Sequence, residues 1–389
     1  MKLFWPLFYF ASTGVAWYLG TRSRVNDEPS KKSNLPRDYL TGINFLLNEE
    51  TDKAVDIFIK MLEVDSETVE THLAVGKLFR RRGEVDRAIR IHQNLIARPQ
   101  LERNFREQAL FELGQDYLSA GMLDRAERIF LELLNVNSHS SRALRTLIDI
   151  YQQEKAWEKA IDTATKYQGV TRQDMQPVIA HYYCELAEAA LLKDRSDMAS
   201  EWLDKAVAAD RSSVRASLLN AKVEAARGNY HEALSSLKKI KKQNPDYLSE
   251  AIDLLASCYE KLDKEDELVV YLKELADEYP HVPVVLILAE RIRKWKGDKI
   301  AASFVTEYVR RYPSLRGVSL LVNLYLSSVD GRVKEDLTIL QNLMKKILHN
   351  KPDYQCTSCG FSGKSLHWQC PGCKQWSTML PIHSVEENA

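Results

Sequence analysis

Apolar residues along most of this chain recur at helical spacing, and the helical stretches recur in turn with a longer period. Gly42, Ala54 and Phe58 carry the pattern first. Gly76, Ala88 and His92 repeat it 34 residues on, and Gly114, Ala126 and Phe130 repeat it again after an insertion of four. Small residues at fixed offsets, with large apolar ones between them, predict pairs of antiparallel helices. Two helices cross closely only where small side chains face each other, and the larger ones fill the groove between them. Gly121 falls where a residue with positive φ ends the first helix of the third pair. One such hairpin leaves an apolar face uncovered, so each requires a neighbour.

The period continues through Ile148, Tyr151, Ala160 and Ala164. After a five-residue insertion between Gly169 and Pro177 it returns as Ala187, Ala199 and Leu203, and then as Ala221, Gly228, Ala233, Leu237 and Pro245. Two weaker units follow, Ala256 with Leu268 and Pro280, and Ala289 with Ala301 and Pro313. In all three the proline stands twelve residues after the second-helix marker, where that helix must stop. Residues 320–348 predict a final irregular pair that caps the stack. The expected fold is therefore all-α from 37 to 348, a solenoid of about eight to nine repeats without strand-like alternation. Self-similarity at this period resembles the tetratricopeptide family, whose arrays bind proteins or peptides.

The ends differ from the array. Residues 3–20 carry no charge and, as a helix, span about 27 Å, close to the thickness of a bilayer's hydrocarbon. Trp5 near one end and Trp17 and Tyr18 near the other stand where interfacial aromatics belong, and Pro6 fits a first turn. An uncleaved anchor and a cleaved signal peptide both match this composition. Only Lys2 precedes the apolar run, whereas Arg22, Arg24, Lys31 and Lys32 follow it, which favours an anchor with the rest of the chain on the cytoplasmic side. Residues 21–36, with Pro29 and Pro36, read as a polar linker of roughly 20 Å as a random coil.

Past Pro352 the composition changes to Cys, Gly, Ser and Trp. Cys356 and Cys359 form one C-x-x-C pair, and Cys370 and Cys373 a second, ten residues further on. Each pair forms a knuckle whose sulfurs converge on one ion, and four thiolates make a closed tetrahedral site for zinc or iron. Gly360, after the first pair, suits a position of positive φ. A segment of this size cannot fold on apolar burial alone, so the ion supplies much of its folding free energy. His367, just before the second knuckle, is of a type that can replace a sulfur, but four cysteines already fill the tetrahedron, which leaves it beside the site or exposed. Trp368 and Trp376 either roof the small core or dock it onto the helices, and Phe361 adds apolar surface to the same end. The run Tyr354 to Gly360 and the run Trp368 to Cys373 resemble the rubredoxin-type zinc-ribbon family. Lys374 stands where a rubredoxin usually has glycine and the intervening loop is short, which favours a structural ion over an electron-transfer centre.

Composition removes several classes. The 54 basic and 54 acidic residues cancel, giving no general attraction to nucleic acid. No P-loop, G-x-S-x-G or H-E-x-x-H motif occurs, and nothing marks an enzyme. Cys184 and Cys258 read as buried packing residues. Arg80, Arg81 and Arg82 read as a solvated helix end, or alternatively as a contact for an acidic partner or lipid headgroups; Lys238, Lys239, Lys241 and Lys242 read as a solvated face.

Anchor, array and knuckle together resemble the lipopolysaccharide assembly protein B family of Gram-negative inner membranes. The most specific runs begin at Arg37, Arg82 and His181, alongside the paired cysteines. The resemblance implies a non-enzymatic adaptor that regulates lipopolysaccharide biosynthesis, promoting degradation of the lipid A-committing deacetylase by a membrane-bound AAA+ protease. It also implies contact with lipopolysaccharide synthesis and export proteins, and leaves homo-oligomerisation open. A general envelope scaffold without a role in proteolysis, and a rubredoxin-like electron carrier, are the alternatives.

Overall fold

The computed structural model describes residues 37–48, 53–54, 57, 69–135, 140–326 and 329–382; the expected anchor and linker, Phe58 and the tail from 383 lie outside them. Among the described residues no helix is long and apolar enough to cross a membrane. The chain forms two compact units, 1–129 and 130–389.

In the first unit α1 (Arg37–Leu47) precedes the hairpin α2 (Val69–Arg81) and α3 (Val85–Ile96), followed by α4 (Arg103–Ser119); α5 (Leu123–Leu133) runs past the unit's end. Val75, Phe79, Ala88 and Ile91 pack with Ala54 in one core, and Val69, Leu73, Leu95 and Ala109 in another. Gly76 is small for a visible reason: a Cβ there would come within 2.4 Å of the His92 Nε2 atom. His92 stands at a marker position held by Phe130 in the next repeat. Its ring is wholly buried, with Nδ1 2.5 Å from Oδ2 of the equally buried Asp116. Arg80 donates to the other oxygen of Asp116 at 2.7 Å and to Glu112 at 2.6 Å, and Lys77 pairs with Glu112 at 2.9 Å. Burial disfavours both charges, yet the mutual hydrogen bonds leave Arg80 raised and Glu112 lowered. The basic triplet is thus not one solvated cluster. Arg80 belongs to a half-buried network between α2 and α4, while Arg81 and Arg82 are exposed.

Among the described residues the second unit stacks six hairpins: α6 (Ser140–Gln153) with α7 (Trp157–Thr171), α8 (Gln176–Leu191) with α9 (Ser196–Ala209), α10 (Val214–Ala226) with α11 (Tyr230–Gln243), α12 (Leu248–Lys261) with α13 (Glu265–Glu278), α14 (Val282–Lys296) with α15 (Asp298–Arg311), and α16 (Leu315–Leu326) with α17 (Arg332–Asn350). The small markers Ala160, Ala199, Ala233 and Ala301 have no exposed surface, and the largest core cluster gathers α10 to α14 around Leu237, Leu255, Leu268 and Leu288. Hairpins in both units reverse by a common device. A left-handed residue follows the first helix, at Gly83, Gly121, Lys155, Asp194, Gly228 and Asp263, and the next N–H reaches back five residues. Examples are Met122 to the Tyr117 carbonyl at 2.8 Å and Asn229 to that of Glu224 at 2.9 Å, which satisfies carbonyls the helix leaves open. Pro245 opens a 3-10 turn after α11, and Pro280 and Pro313 fall in the connections after α13 and α15. The capping helix α17 buries Met344 but leaves Val333, Ile339, Leu340, Leu343 and Ile347 between 43% and 59% exposed.

The chain then forms a small antiparallel sheet in the order β2-β1-β3, from β1 (Tyr354–Cys356), β2 (Ser362–Gly363) and β3 (Met379–Pro381). Gln355 pairs with Ser362 on one side and with Leu380 on the other.

Candidate metal centre and its seat on the array

The two C-x-x-C knuckles are built alike. In the first, the Gly360 N–H donates to the Cys356 carbonyl at 3.0 Å and the Cys356 N–H to the Phe361 carbonyl at 2.7 Å. In the second, the Lys374 N–H donates to the Cys370 carbonyl and the Cys370 N–H to the Gln375 carbonyl, both at 2.9 Å. Each turn requires a left-handed residue after its second cysteine, and Gly360 and Lys374 supply it with φ of 75° and 60°. Lys374 therefore departs from glycine in residue type but keeps the backbone that glycine usually provides. Gly372 lies against the sulfurs, where a Cβ would be 3.3 Å from Cys359 Sγ.

The four Sγ atoms of Cys356, Cys359, Cys370 and Cys373 all lie within 4.8 Å of one another. Across the site Cys356 and Cys373 are 3.8 Å apart, and Cys359 and Cys370 are 3.7 Å apart. Sulfurs about 2.3 Å from a tetrahedral ion are about 3.8 Å from each other, which is the spacing of these two pairs. Desolvation raises the Cys356 thiol, but the Thr378 hydroxyl and the backbone at Cys359 and Ser358 outweigh it and bring the group to about 6. The Phe361 backbone favours the Cys359 thiolate, yet desolvation and the facing sulfurs push it up to about 11. Four thiols this close cannot all ionise without a cation among them. His367 is exposed, with Nε2 3.1 Å from the Ser365 hydroxyl, and takes no place among the sulfurs.

Two indoles fix the ribbon to the array. Trp376 stacks on His181 with ring centres 4.8 Å apart and meets Tyr182 and Trp157 edge-on at 5.8 and 6.3 Å. Its Nε1 donates to Gln152 Oε1 at 3.0 Å, which also accepts from Gln369 at 2.9 Å. Trp368 stacks on Tyr247 at 5.3 Å, and with Leu366 and Leu380 it packs against the main core cluster. The Arg215 guanidinium lies 5.9 Å from both indoles, and its Nη2 donates to Glu185 and Glu188 at 2.8 and 2.9 Å. Burial disfavours that charge, and the two glutamates more than offset the effect. Around this centre His181 Nε2 lies 2.7 Å from the Ser377 hydroxyl, Tyr247 donates to the Met379 carbonyl at 2.9 Å, and Tyr354 donates to Glu250 at 2.6 Å. Arg316 pairs with Asp353 at the far end. Gln152, His181, Arg215, Glu250 and Arg316 all belong to first helices of their hairpins, so the ribbon sits on the face those helices make.

Phe361 takes no part in this seat; it is 37% exposed and lies beside Gly372 over the second knuckle. Cys184 and Cys258 are buried packing residues, and burial pushes the Cys184 thiol up to about 12. Nothing in the sequence analysis singled out Gln152, Tyr247 or Arg215. One signal existed: Arg215 is the sole charge in the run from Val214 to Leu219, a position the helix period turns inward.

Stacked antiparallel hairpins that carry a four-cysteine ribbon on their first-helix face define a tetratricopeptide protein with an attached rubredoxin-type module. Residues 71–104 match the tetratricopeptide repeat profile, 132–273 that of the tetratricopeptide repeat protein 21 ARM repeat, and 354–381 the rubredoxin metal binding domain. The chain belongs to the lipopolysaccharide assembly protein B family. It is 39% identical to lipopolysaccharide assembly protein B of Escherichia coli K12 over 96% of this chain and 97% of that protein. To the protein of that name from Haemophilus influenzae it is 35% identical, with 97% of each covered. Among solved structures, one of Naa15/Naa10 bound to HypK-THB covers 80% of this chain and 46% of that one, at 18% identity and a TM-score of 0.43.

Proposed function

We propose that the protein is a non-enzymatic, membrane-anchored adaptor in the regulation of lipopolysaccharide assembly, and that it delivers the lipid A-committing deacetylase to a membrane-bound AAA+ protease. The observation that carries this reading is likeness to lipopolysaccharide assembly protein B through anchor segment, array and ribbon together. In this reading residues 1–20 anchor the chain in the inner membrane, 21–36 are a linker, 37–348 form the array in the cytoplasm, and 349–389 form the metal-binding domain and tail. Tethering confines a soluble client to the membrane surface and raises its effective concentration near the protease. Cys356, Cys359, Cys370 and Cys373 hold one zinc or iron ion, whose role is to fold the ribbon. With no open coordination position, such an ion is structural. Bound, it supplies charge to neutralise the thiolates and a fixed centre for both knuckles.

Depletion of the protein, followed by measurement of the deacetylase half-life, tests the reading. A half-life lengthened several-fold supports the adaptor. An unchanged half-life with defective lipopolysaccharide export instead supports a scaffold without a role in degradation.

A further inference from the structure

The last two hairpins differ in charge from the chain as a whole. Residues 282–350 hold 12 Lys and Arg against 6 Asp and Glu, in a sequence where the two signs balance. The excess gathers at the edge where α14 turns into α15. Lys294, Lys296 and Lys299 are exposed there and form no ion pair among the described residues. Between them Trp295 is 63% exposed, and Ile300 is 49% exposed. The next hairpin reverses at the same edge. Tyr325, near the end of α16, lines a common pocket with Lys299, and exposed Arg332, Val333 and Lys334 open α17. Of the acids here, Asp298 binds Arg293 at 2.8 Å and Asp330 lies 3.8 Å from Lys334, while Glu307, Glu335 and Asp336 are exposed, so the basic groups at this edge still outnumber the acidic ones. From Val333 the exposed apolar surface continues along α17 through Leu340 and Ile347.

An indole and aliphatic side chains left in water beside unpaired lysines require a partner with both an apolar layer and negative charge. Protein–protein interface cores are depleted in lysine. At a bilayer surface, by contrast, tryptophan settles at headgroup depth while lysines reach anionic phosphates. We propose that this edge of the last two hairpins docks on an anionic phospholipid bilayer. The inference rests on the edge alone and stands whether or not the adaptor reading does.

The test uses the full chain with a spin label at Ile300→Cys, reconstituted into vesicles of phosphatidylethanolamine and phosphatidylglycerol, or of phosphatidylcholine alone. A matching label at Glu201→Cys, an exposed position on α9, serves as control. In anionic vesicles the access of a water-soluble relaxation agent to position 300 should fall about fivefold or more, with position 201 unchanged. Each lysine near such a surface shifts the docking equilibrium by about fivefold, so the triple variant Lys294→Glu/Lys296→Glu/Lys299→Glu should restore full access. Equal access in both vesicle types would overturn the proposal. So would protection that rises with protein concentration in detergent micelles, which would assign the edge to a second copy, or protection by soluble polyglutamate but not by vesicles, which would assign it to an acidic protein.

Discussion

Set beside the ribbon, the helices of the second unit are self-sufficient: from α10 to α14, small markers and large aliphatics of successive hairpins share one buried core. In the ribbon only Cys356, Cys370 and Met379 are buried in a core of their own, and its larger apolar groups, Leu366, Trp368 and Leu380, lie against array residues. The array is held by apolar burial distributed over hundreds of residues. The ribbon depends on two local devices, a metal site and an aromatic seat around Arg215. Damage should therefore spread differently in the two. A lost array contact is diluted among many, while a lost sulfur or indole removes most of what holds the smaller module.

The largest effect expected is from Cys356→Ser with Cys359→Ser. Structural four-ligand sites supply about 10–16 kcal/mol of apparent binding free energy, far more than so small a segment can replace. Residues 354–382 should lose protease resistance and the ion should be lost, with helical circular dichroism nearly unchanged. A stoichiometric ion in the double variant would break the comparison. Next is Trp376→Ala, which removes the contacts to His181, Tyr182, Trp157 and Gln152; buried aromatic truncations cost about 3–5 kcal/mol. The ribbon should then undock but keep its ion, seen as rapid cleavage near 351 with metal content intact.

A third effect is set by pH. Burial, and secondarily the Arg215 charge, lower His181 to about 3, so it is neutral when docked. Exposed histidine titrates near 6.5, so between these values the undocked form carries the extra proton and docking weakens as pH falls. From pH 6.5 to 5 the loss should be about 1.6 kcal/mol, read as increasing ribbon cleavage. His181→Gln should flatten that profile; an unchanged profile would place the acid sensitivity in the thiolates instead. The smallest effect compares the knuckles. Gly360→Ala forces a side chain into a left-handed turn and should cost about 1–2 kcal/mol, whereas Lys374→Ala, already left-handed with a side chain, should cost about 0.5 kcal/mol or less. Chelator-competition midpoints for the two variants measure the difference.

The array and the cysteine site were legible because both are local patterns. The spacing of Ala88, Ala233 and Ala301, the prolines after second helices, and two C-x-x-C pairs each depend on residues close in sequence. Three reversals escaped notice because Lys155, Asp194 and Asp263 take the left-handed conformation without being glycine. The ribbon's half of the seat, Trp368 and Trp376, was legible as docking residues, but the array's half was not: Gln152 and Trp376 are 224 residues apart, and no periodicity links them. Phe361 shows the limit of counting apolar residues, since a small module can leave one exposed over its metal knuckle. Arg80 shows the same limit for charge, because only the stacking of α2 on α4 brings Glu112 and Asp116 to it.

The central claim is that the metal site and the first-helix face are one coupled structure. Hydrogen exchange of the full chain, before and after removal of the ion with a chelator, tests it most directly. The account predicts that amides in 354–382 lose protection together with those around His181 and Arg215, while the outer helices, such as 196–209 and 230–243, are unchanged. Loss of protection confined to the ribbon, with the amides of 176–191 and 214–226 as slow as before, would contradict it.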